Sequence, residues 1–264
     1  MQLTDQLGTQ HTFQTTPLRI VSLVPSQTEL LYDLGLEDNI VGITKFCVHP
    51  VHFKATKTIV GGTKNIKFDK IKALQPDIII CNKEENTKEI VEEVSQICPV
   101  WVTDILAIED NLQMIQDFGQ LFNKRTEARK WIDKINFAYQ DFQQFIKDKP
   151  VKKAAYFIWA NPHMVAGNHT FINELLKLNH FENIYESKEG RYPEIELKKI
   201  RLEGDPDYVF LSSEPFPFKD EHAFEIGRFT HHAKTVFVDG EMFSWYGSRL
   251  LKAFDYFKLL HAKI

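Results

Sequence analysis

The chain has 264 residues, of which 43% are hydrophobic and 26% are charged, a composition typical of a globular protein and unlike that of a disordered or fibrous one. Its 32 basic and 36 acidic side chains give a formal net charge of −4, so it lacks the basic excess that binding to nucleic acid requires. The longest uninterrupted apolar run, residues 154–160, is far shorter than the roughly 20 residues that cross a bilayer, so we expect no membrane insertion.

The cysteines and the start of the chain bear on cellular location. Cys47, Cys81 and Cys98 are odd in number and widely spaced, which excludes a disulfide framework and a CxxC motif. The first sixteen residues contain no Lys or Arg, no apolar h-region and no cysteine for lipidation. We therefore expect a cytoplasmic protein, or a periplasmic one if a leader has been removed.

Short apolar runs alternate with helical patterns along the chain, which predicts an α/β fold with mostly parallel sheets. The predicted strands are residues 19–23, 40–44, 77–81, 100–102, 152–158, 208–211 and 235–238.

Two helices can be placed with defined ends or faces. Residues 26–29, Ser-Gln-Thr-Glu, read as a capping box that opens a first helix, and Gly35 is placed to end it. From Thr126 onward, apolar residues recur at spacings of three and four, which predicts a rod of about twenty residues. The members of its apolar stripe are Ala128, Trp131, Ile135, Ala138, Phe142 and Phe145.

A short internal repeat indicates two similar lobes. Residues 30–40 resemble residues 175–184, and each stretch is followed by a Pro-Asp pair that leads into an apolar strand. We predict an N-terminal extension over 1–17, an α/β lobe over 18–108, a linker with the long backbone helix over 109–149, and a second α/β lobe over 150–264.

Ligands of open α/β sheets gather beyond the carboxyl ends of the strands, and the predicted loops there combine aromatic rings with His, Cys, Asn and Arg. Rings in loops gain little from core packing, so their density favours a flat or conjugated ligand held by stacking. Each ring taken alone is equally consistent with a packing role at the base of its lobe. The candidate ligand-binding residues are Phe46, Cys47, His49, Asn82, Trp159, His163, Phe216, Trp245, Tyr246 and Arg249.

Several of these side chains allow more than one chemistry. His49 and His163 suit a metal or a metal chelate, and Cys47 suits an axial ligand, a nucleophile or a buried small hydrophobe. Arg249 suits a ligand carboxylate or phosphate, or an ion pair with Asp239 or Glu241. The adjacent His231 and His232 are interpreted as a solvated turn, as are the glycines at 61–62.

No GxGxxG, GxxxxGK[ST], GxSxG or HExxH motif occurs in the sequence, so a non-catalytic role is favoured. Two alternatives stay open at this stage. One is an enzyme with Cys47 as nucleophile and His49 or His163 as base. The other is direct binding of bare zinc, manganese or iron by His49, His163 and a carboxylate such as Glu214.

An ordered set of motifs resembles a known family. Residues 19–31 (RIVSLVPSQTELL), Leu34-Gly35, residues 40–44 (IVGIT) and residues 74–80 (LQPDIII) together resemble the helical-backbone metal receptors, the substrate-binding proteins of ABC importers for cobalamin, haem and ferric siderophores. The order and spacing match over residues 18–104, and the backbone helix and second lobe extend the similarity to nearly the whole chain.

The resemblance implies two α/β lobes joined by a long helix, and one metal chelate held in the cleft between them. It implies no cofactor beyond that ligand and an aromatic pocket that favours a corrin or other tetrapyrrole. By their own chemistry, His49 or Cys47 is the candidate axial metal ligand in such a pocket. An ABC permease is the partner that it suggests. The family presents a surface glutamate on each lobe to the permease, and the matching places here hold Lys88 beside Glu89 and Lys198 after Glu196.

Overall fold

The structure is a computed structural model that describes residues 1–264, and the chain forms two compact units. Unit 1 comprises Met1–Phe137 and Tyr246–Leu251, and unit 2 comprises Ala138–Trp245 and Lys252–Ile264. Each unit is built around its own parallel sheet flanked by helices, which confirms the predicted α/β class.

Unit 1 begins with an antiparallel hairpin of β1 (Gln2–Thr4) and β2 (Gln10–Thr12). Asp5 closes its turn by accepting hydrogen bonds from the backbone N–H groups of Leu7 and Thr9. The same carboxylate contacts His11, whose ring lies 5.3 Å from the ring of Trp101. These buried contacts fix the hairpin against the edge of the sheet.

The sheet of unit 1 has the order β5-β4-β3-β6-β7, with every neighbouring pair parallel. Its strands are nearly continuous apolar runs because helices cover both faces, as is usual for parallel sheets. The strands are β3 (Ile20–Ser22), β4 (Ile40–Ile43), β5 (Thr58–Ile59), β6 (Ile78–Asn82) and β7 (Val100–Thr103). The four longest fall where the sequence predicts them.

The helices of unit 1 are α1 (Pro25–Asp33), α2 (Phe53–Thr56), α3 (Phe68–Ala73), α4 (Lys88–Val94) and α5 (Ile108–Leu121), with a 3-10 turn at Glu37–Asn39. The predicted capping box of α1 is wrong. Pro25 occupies the first turn, and no side chain caps the helix. The Thr28 hydroxyl instead donates to the carbonyl of Val24. The predicted end is confirmed, since Gly35 adopts a φ of +75° just after the helix.

The long helix α6 (Arg125–Ile146) has 22 residues and confirms the predicted rod. Ala128, Ile135 and Phe142 of its predicted stripe are buried, and Trp131 donates its indole N–H to the carbonyl of Asp33. Phe145 departs from the prediction, because 36% of it is exposed and Ile146 takes the buried position. The helix is shared by the two units, with the boundary after Phe137.

The sheet of unit 2 has the parallel order β10-β8-β11-β12, with β9 antiparallel to β8. The strands are β8 (Lys152–Trp159), β9 (Met164–Val165), β10 (Phe181–Asn183), β11 (Tyr208–Ser212) and β12 (Lys234–Val238). Strands β9 and β10 escape sequence analysis because two or three residues are too few to show a period.

The helices of unit 2 pack around this sheet. They are α7 (Phe171–Leu178), α8 (Ile200–Glu203), α9 (Asp220–Gly227), α10 (Gly240–Ser244) and most of α11 (Leu250–Lys263), with 3-10 turns at Leu197–Lys199 and, in unit 1, Gly247–Arg249. Phe142 of α6 packs on Phe254 and Phe257 of α11, with ring centroids 5.8 Å apart in both pairs. No helix in the fold combines the length and the apolar character that crossing a membrane requires.

Candidate functional site

The predicted site residues follow the carboxyl ends of parallel strands in both units. In unit 1 they lie in the loop after β4, at the last residue of β6 and in the segment that begins at Tyr246. In unit 2 they lie at the last residue of β8 and in the segments after β8, β11 and β12. Because neighbouring strands are parallel, these loops collect at one edge of each sheet, where ligands of α/β proteins bind.

Phe46 presents an aromatic ring to solvent in unit 1. The residue is 49% exposed, and the Lys45 ammonium lies 4.9 Å from the ring centroid. Gly62 of the neighbouring turn leaves room for the ring, since a Cβ atom at this position would come within 3.1 Å of it. An exposed ring with a cation beside it suits stacking on a flat ligand that carries negative groups.

Cys47 lies one residue further on but is fully buried. Its Sγ atom lies 3.2 Å from the Thr28 hydroxyl and 3.3 Å from the Thr44 hydroxyl. Burial raises the pKa of this thiol, although the two hydroxyls act in the opposite direction. The thiol is therefore protonated at neutral pH and enclosed by protein, which supports a packing role over an axial or nucleophilic one. His49, in contrast, is only half-buried.

Asn82 lies at the end of β6, where its side chain organises the following loop. Its amide N–H donates to the carbonyl and the hydroxyl of Thr103, both at 3.1 Å. Its side-chain oxygen accepts hydrogen bonds from the backbone N–H groups of Glu84 and Glu85. The side chain is buried, and both its nitrogen and its oxygen form hydrogen bonds within the protein. Asn82 therefore fixes the conformation of the loop that follows β6.

A buried polar cluster that sequence analysis missed lies beside Asn82. The amide nitrogen of Gln27 lies 2.5 Å from the Thr103 hydroxyl and 3.1 Å from the Tyr246 hydroxyl. Burial raises the pKa of Tyr246 and keeps it neutral. The Oε1 atom of Gln27 is buried without a hydrogen-bond partner. The sequence signal was the run of four polar residues, 26–29, at the start of a helix in an apolar setting.

Arg249 is buried in unit 1 and pairs with Glu29, 220 residues away in sequence. The two N–H···O distances are 2.7 and 2.9 Å, and both side chains are less than a tenth exposed. This bidentate geometry is the strong form of an arginine–carboxylate pair. Sequence analysis expected a ligand anion, Asp239 or Glu241 as the partner and did not identify Glu29.

Two of the predicted rings in unit 2 form a pair. The Trp159 and Phe216 centroids lie 5.4 Å apart at an interplanar angle of 62°, and Trp159 is 39% exposed. Phe216 is supported in turn by Phe218 and His222, at 4.9 and 5.1 Å. The carboxyl end of β8 thus meets the loop after β11, and the two rings give unit 2 an accessible aromatic surface.

Trp245, the last residue of the main segment of unit 2, is buried. Its indole N–H donates to Glu214 at 2.9 Å, and the Ser244 hydroxyl donates to the same carboxylate oxygen at 3.0 Å. Burial raises the pKa of Glu214, against the effect of these two hydrogen bonds. Trp245 is therefore held in a fixed orientation by a buried carboxyl group.

His163 packs into unit 2 with its ring edge-on to Phe157, at 6.3 Å. Its Nε2 atom is buried without a hydrogen-bond partner, and burial lowers the pKa of the ring. The imidazole is thus neutral. Its solvent-inaccessible nitrogen does not reach a ligand in this conformation.

One surface hollow lies away from these loops. Its volume is about 490 Å³, and it is lined by Phe68, Lys72, Gln75, Pro76, Gln96 and Ile97. Pro76 precedes β6, which places the hollow near the amino edge of the sheet of unit 1. It therefore contains none of the predicted site residues.

The chain is similar to known proteins both in sequence and in fold. The family described as "Periplasmic binding protein" matches residues 20–230. An uncharacterized ABC transporter substrate-binding lipoprotein of Bacillus subtilis, YvrC, is 24% identical over 92% of this chain and 80% of its own length.

Solved structures with the same fold include the vitamin B12 binding protein BtuF of Vibrio cholerae, with a TM-score of 0.80 and 19% identity over 93% of this chain and 98% of that one. The haem-binding protein HutB of the same organism has a TM-score of 0.76 and 20% identity, over 92% and 99% of the two chains.

Proposed function

Because the chain belongs to the periplasmic binding protein family, we propose that it binds one metal chelate, and that the chelate is a flat tetrapyrrole of the corrin or haem type. The observation that carries the proposal is that each unit has accessible aromatic rings at strand carboxyl ends, Trp159 with Phe216 in unit 2 and Phe46 in unit 1. Membership of a family of binding proteins also argues against the enzyme alternative.

Aromatic rings favour a tetrapyrrole over a ferric siderophore. A siderophore presents charged and polar oxygens, and its recognition depends on cations. Arg249, the candidate partner of a ligand carboxylate or phosphate, is buried and engaged by Glu29. Lys45, whose ammonium lies over the Phe46 ring, suits the few peripheral carboxylates or amides of a tetrapyrrole. The names of BtuF and HutB, a vitamin B12 and a haem binder, agree with this preference.

We propose His49 as the axial ligand of the chelated metal. It is half-buried in the loop that also carries Phe46, and a neutral imidazole is a common ligand of cobalt and iron. Cys47 is a poorer candidate, since its thiol is enclosed by Thr28 and Thr44. That the ligand lies between the two lobes stays a prediction.

An ABC permease is proposed as the protein partner. Glu89 and Glu196 are exposed on unit 1 and unit 2, respectively. The Lys199 ammonium pairs with Glu196 at 2.6 Å, and Thr87 and the helix start of α4 engage Glu89. These pairings lower the pKa of both carboxyls, so both carry negative charge for docking arginines. Of the two locations expected from the sequence, the periplasmic one agrees with family membership and a permease partner, and cell fractionation tests it.

A titration with a panel of chelates tests the proposed function. Cobalamin, haem and a ferric siderophore are added to the protein while its tryptophan emission and the visible absorption of each chelate are followed. We expect one equivalent of a tetrapyrrole to bind at micromolar concentration and to quench emission. No change with any chelate would contradict the proposal.

Variants then locate the contact. We expect Trp159→Ala and Phe46→Ala each to weaken binding by about tenfold, the usual cost of truncating a central aromatic contact. Phe137→Ala is the matched control, because Phe137 is 75% exposed on α6 and follows no strand. An equal loss in the control would show that the rings act through general stability.

A further inference from the structure

Two aspartates and two histidines meet at the end of the unit 2 sheet that is opposite to the aromatic loops. Asp205 and Asp207 directly precede β11, and His231 and His232 precede β12. The two strands are parallel neighbours, with Tyr208 opposite Lys234. The four side chains therefore lie at the amino edge of this sheet, whereas Trp159, Glu214 and Trp245 follow carboxyl ends.

We propose that Asp205, His231 and His232 bind a divalent transition-metal ion such as Zn²⁺. One donor atom from each of the three side chains lies within 4.8 Å of the others. The Oδ2 atom of Asp205 lies 3.7 Å from the Nδ1 atom of His232 and 4.0 Å from that of His231. Tetrahedral zinc, with bonds of about 2.0–2.1 Å, needs donors about 3.4 Å apart, so small side-chain rotations complete the site.

Asp207 supports the site from the outside. Its Oδ1 atom lies 3.3 Å from the Nε2 atom of His232. This carboxylate accepts a hydrogen bond from the N–H group at Nε2. The proton is therefore on Nε2, and the lone pair is on Nδ1, the nitrogen that faces Asp205. The other carboxylate oxygen of Asp207 accepts a hydrogen bond from the backbone N–H of Lys153 at 2.8 Å, which holds the carboxylate in place beside His232.

The backbone on both sides of the site is held in place. Asp205 adopts a φ of +45°, which Asp and Asn tolerate better than most residues. The Arg201 guanidinium donates to the carbonyls of Phe229 and Thr230, at 3.0 and 2.8 Å, and so fixes the chain just before His231. Restrained donors lose less entropy when an ion binds.

The donor set selects the class of metal. Imidazole nitrogens suit zinc, copper and nickel, whereas calcium and magnesium prefer oxygen ligands. The two histidines are 75% and 52% exposed, so water has room to fill the remaining coordination positions. The proposal does not depend on the chelate site, which involves other residues.

Zinc titration of the untagged, chelator-treated protein tests the proposal. A chromophoric zinc chelator serves as competitor, and thermal unfolding is followed with and without zinc. We expect one equivalent of zinc to bind at micromolar concentration and to raise the melting temperature. The variant H231A/H232A and the variant Asp205→Asn, which keeps a residue that tolerates positive φ, should each lose at least tenfold in affinity.

His169→Asn is the matched control, because His169 is exposed in unit 2, and it also has a positive φ, of 55°. It should bind zinc as the parent protein does. Failure of the parent to bind zinc at micromolar concentration would overturn the proposal, as would undiminished binding by either site variant. Should the double variant fail to fold, Asp205→Asn decides alone.

Discussion

Glu214 shows how one side chain couples ionisation to the shape of the candidate site. Its carboxyl group accepts hydrogen bonds from Trp245 and Ser244 while it is buried in unit 2. Burial is the largest influence on its pKa, which is raised. The folded state therefore holds this proton more tightly than the unfolded state does.

The raised pKa of Glu214 makes the free energy of unfolding depend on pH. Between the ordinary pKa and the raised one, the folded state binds more protons, so the contribution of Glu214 to the free energy of unfolding falls as pH rises. Glu214→Gln removes this dependence while it keeps an oxygen acceptor for Trp245. We expect the free energy of unfolding of the variant to rise relative to that of the parent as pH rises from about 4 to about 7. The gain is about 1.4 kcal/mol for each tenfold by which the folded parent binds the Glu214 proton more tightly than the unfolded parent does.

Thermal unfolding of both proteins across this pH range measures the effect. The matched control is Glu189→Gln, which makes the same substitution at an exposed carboxyl of unit 2. A stability difference between Glu214→Gln and the parent that does not change with pH would show that burial does not raise the pKa of this carboxyl.

Of the five candidate rings, Phe46, Trp159 and Phe216 are accessible, whereas Trp245 and Tyr246 are buried. Trp159 and Phe216 follow strands in a parallel sheet, so their meeting is a consequence of topology. The partner of Arg249 lies 220 residues away, and burial of Cys47 depends on Thr28 of another element. Neither the arginine pair nor the burial of the cysteine can be recognised from the neighbouring residues in the sequence.

Among the elements, the segment from Tyr246 to Leu251 is fastened to unit 1 by buried polar contacts. The backbone N–H of Gly247 donates to Asn111 at 2.6 Å, and the Ser248 hydroxyl donates to Asp33 at 2.5 Å. Gly247 has a φ of +84°, and a Cβ atom there would lie 3.3 Å from the side chain of Leu30. The Arg249–Glu29 pair completes the attachment to α1.

We expect Arg249→Met to lower the free energy of unfolding by about 3–5 kcal/mol, because it leaves Glu29 buried without its cation. The double variant R249M/E29Q should lose much less, since no uncompensated charge remains. Denaturant unfolding of the three proteins measures both values.

Arg129→Met supplies the matched control for the ion pair. Arg129 pairs with Asp133 on the exposed face of α6, with side chains 75% and 57% exposed, and such pairs contribute about 0.2–1 kcal/mol. If Arg249→Met cost no more than this control, the buried pair would have no special importance for stability.

Long elements were predictable from sequence and short ones were not. The periodic pattern of α6 extends over six turns, and its three central buried positions match the structure. Strands β9 and β10 contain too few residues for a pattern. The start of α1 was misplaced because Pro25 is itself suited to a first helical turn, which competes with a cap at Ser26.

For the whole molecule, the same arrangement occurs in both units: a parallel sheet whose carboxyl edge carries rings, and whose sequence order alternates strand and helix. This order could be read from the chain because each βα step is local. The fold is shared with BtuF at 19% identity, which shows that the architecture tolerates wide change in sequence. The ligand depends on a few loop side chains and is less constrained by the fold.

Equilibrium dialysis against cobalamin and against haem tests the central claim most directly, because it counts bound ligand without relying on a signal from the protein. The account predicts that the parent protein retains one tetrapyrrole per chain at saturation, and that combined substitution of Phe46 and Trp159 by alanine lowers the affinity by more than either single change. A parent protein that retains neither compound above the level of the surrounding buffer would contradict it.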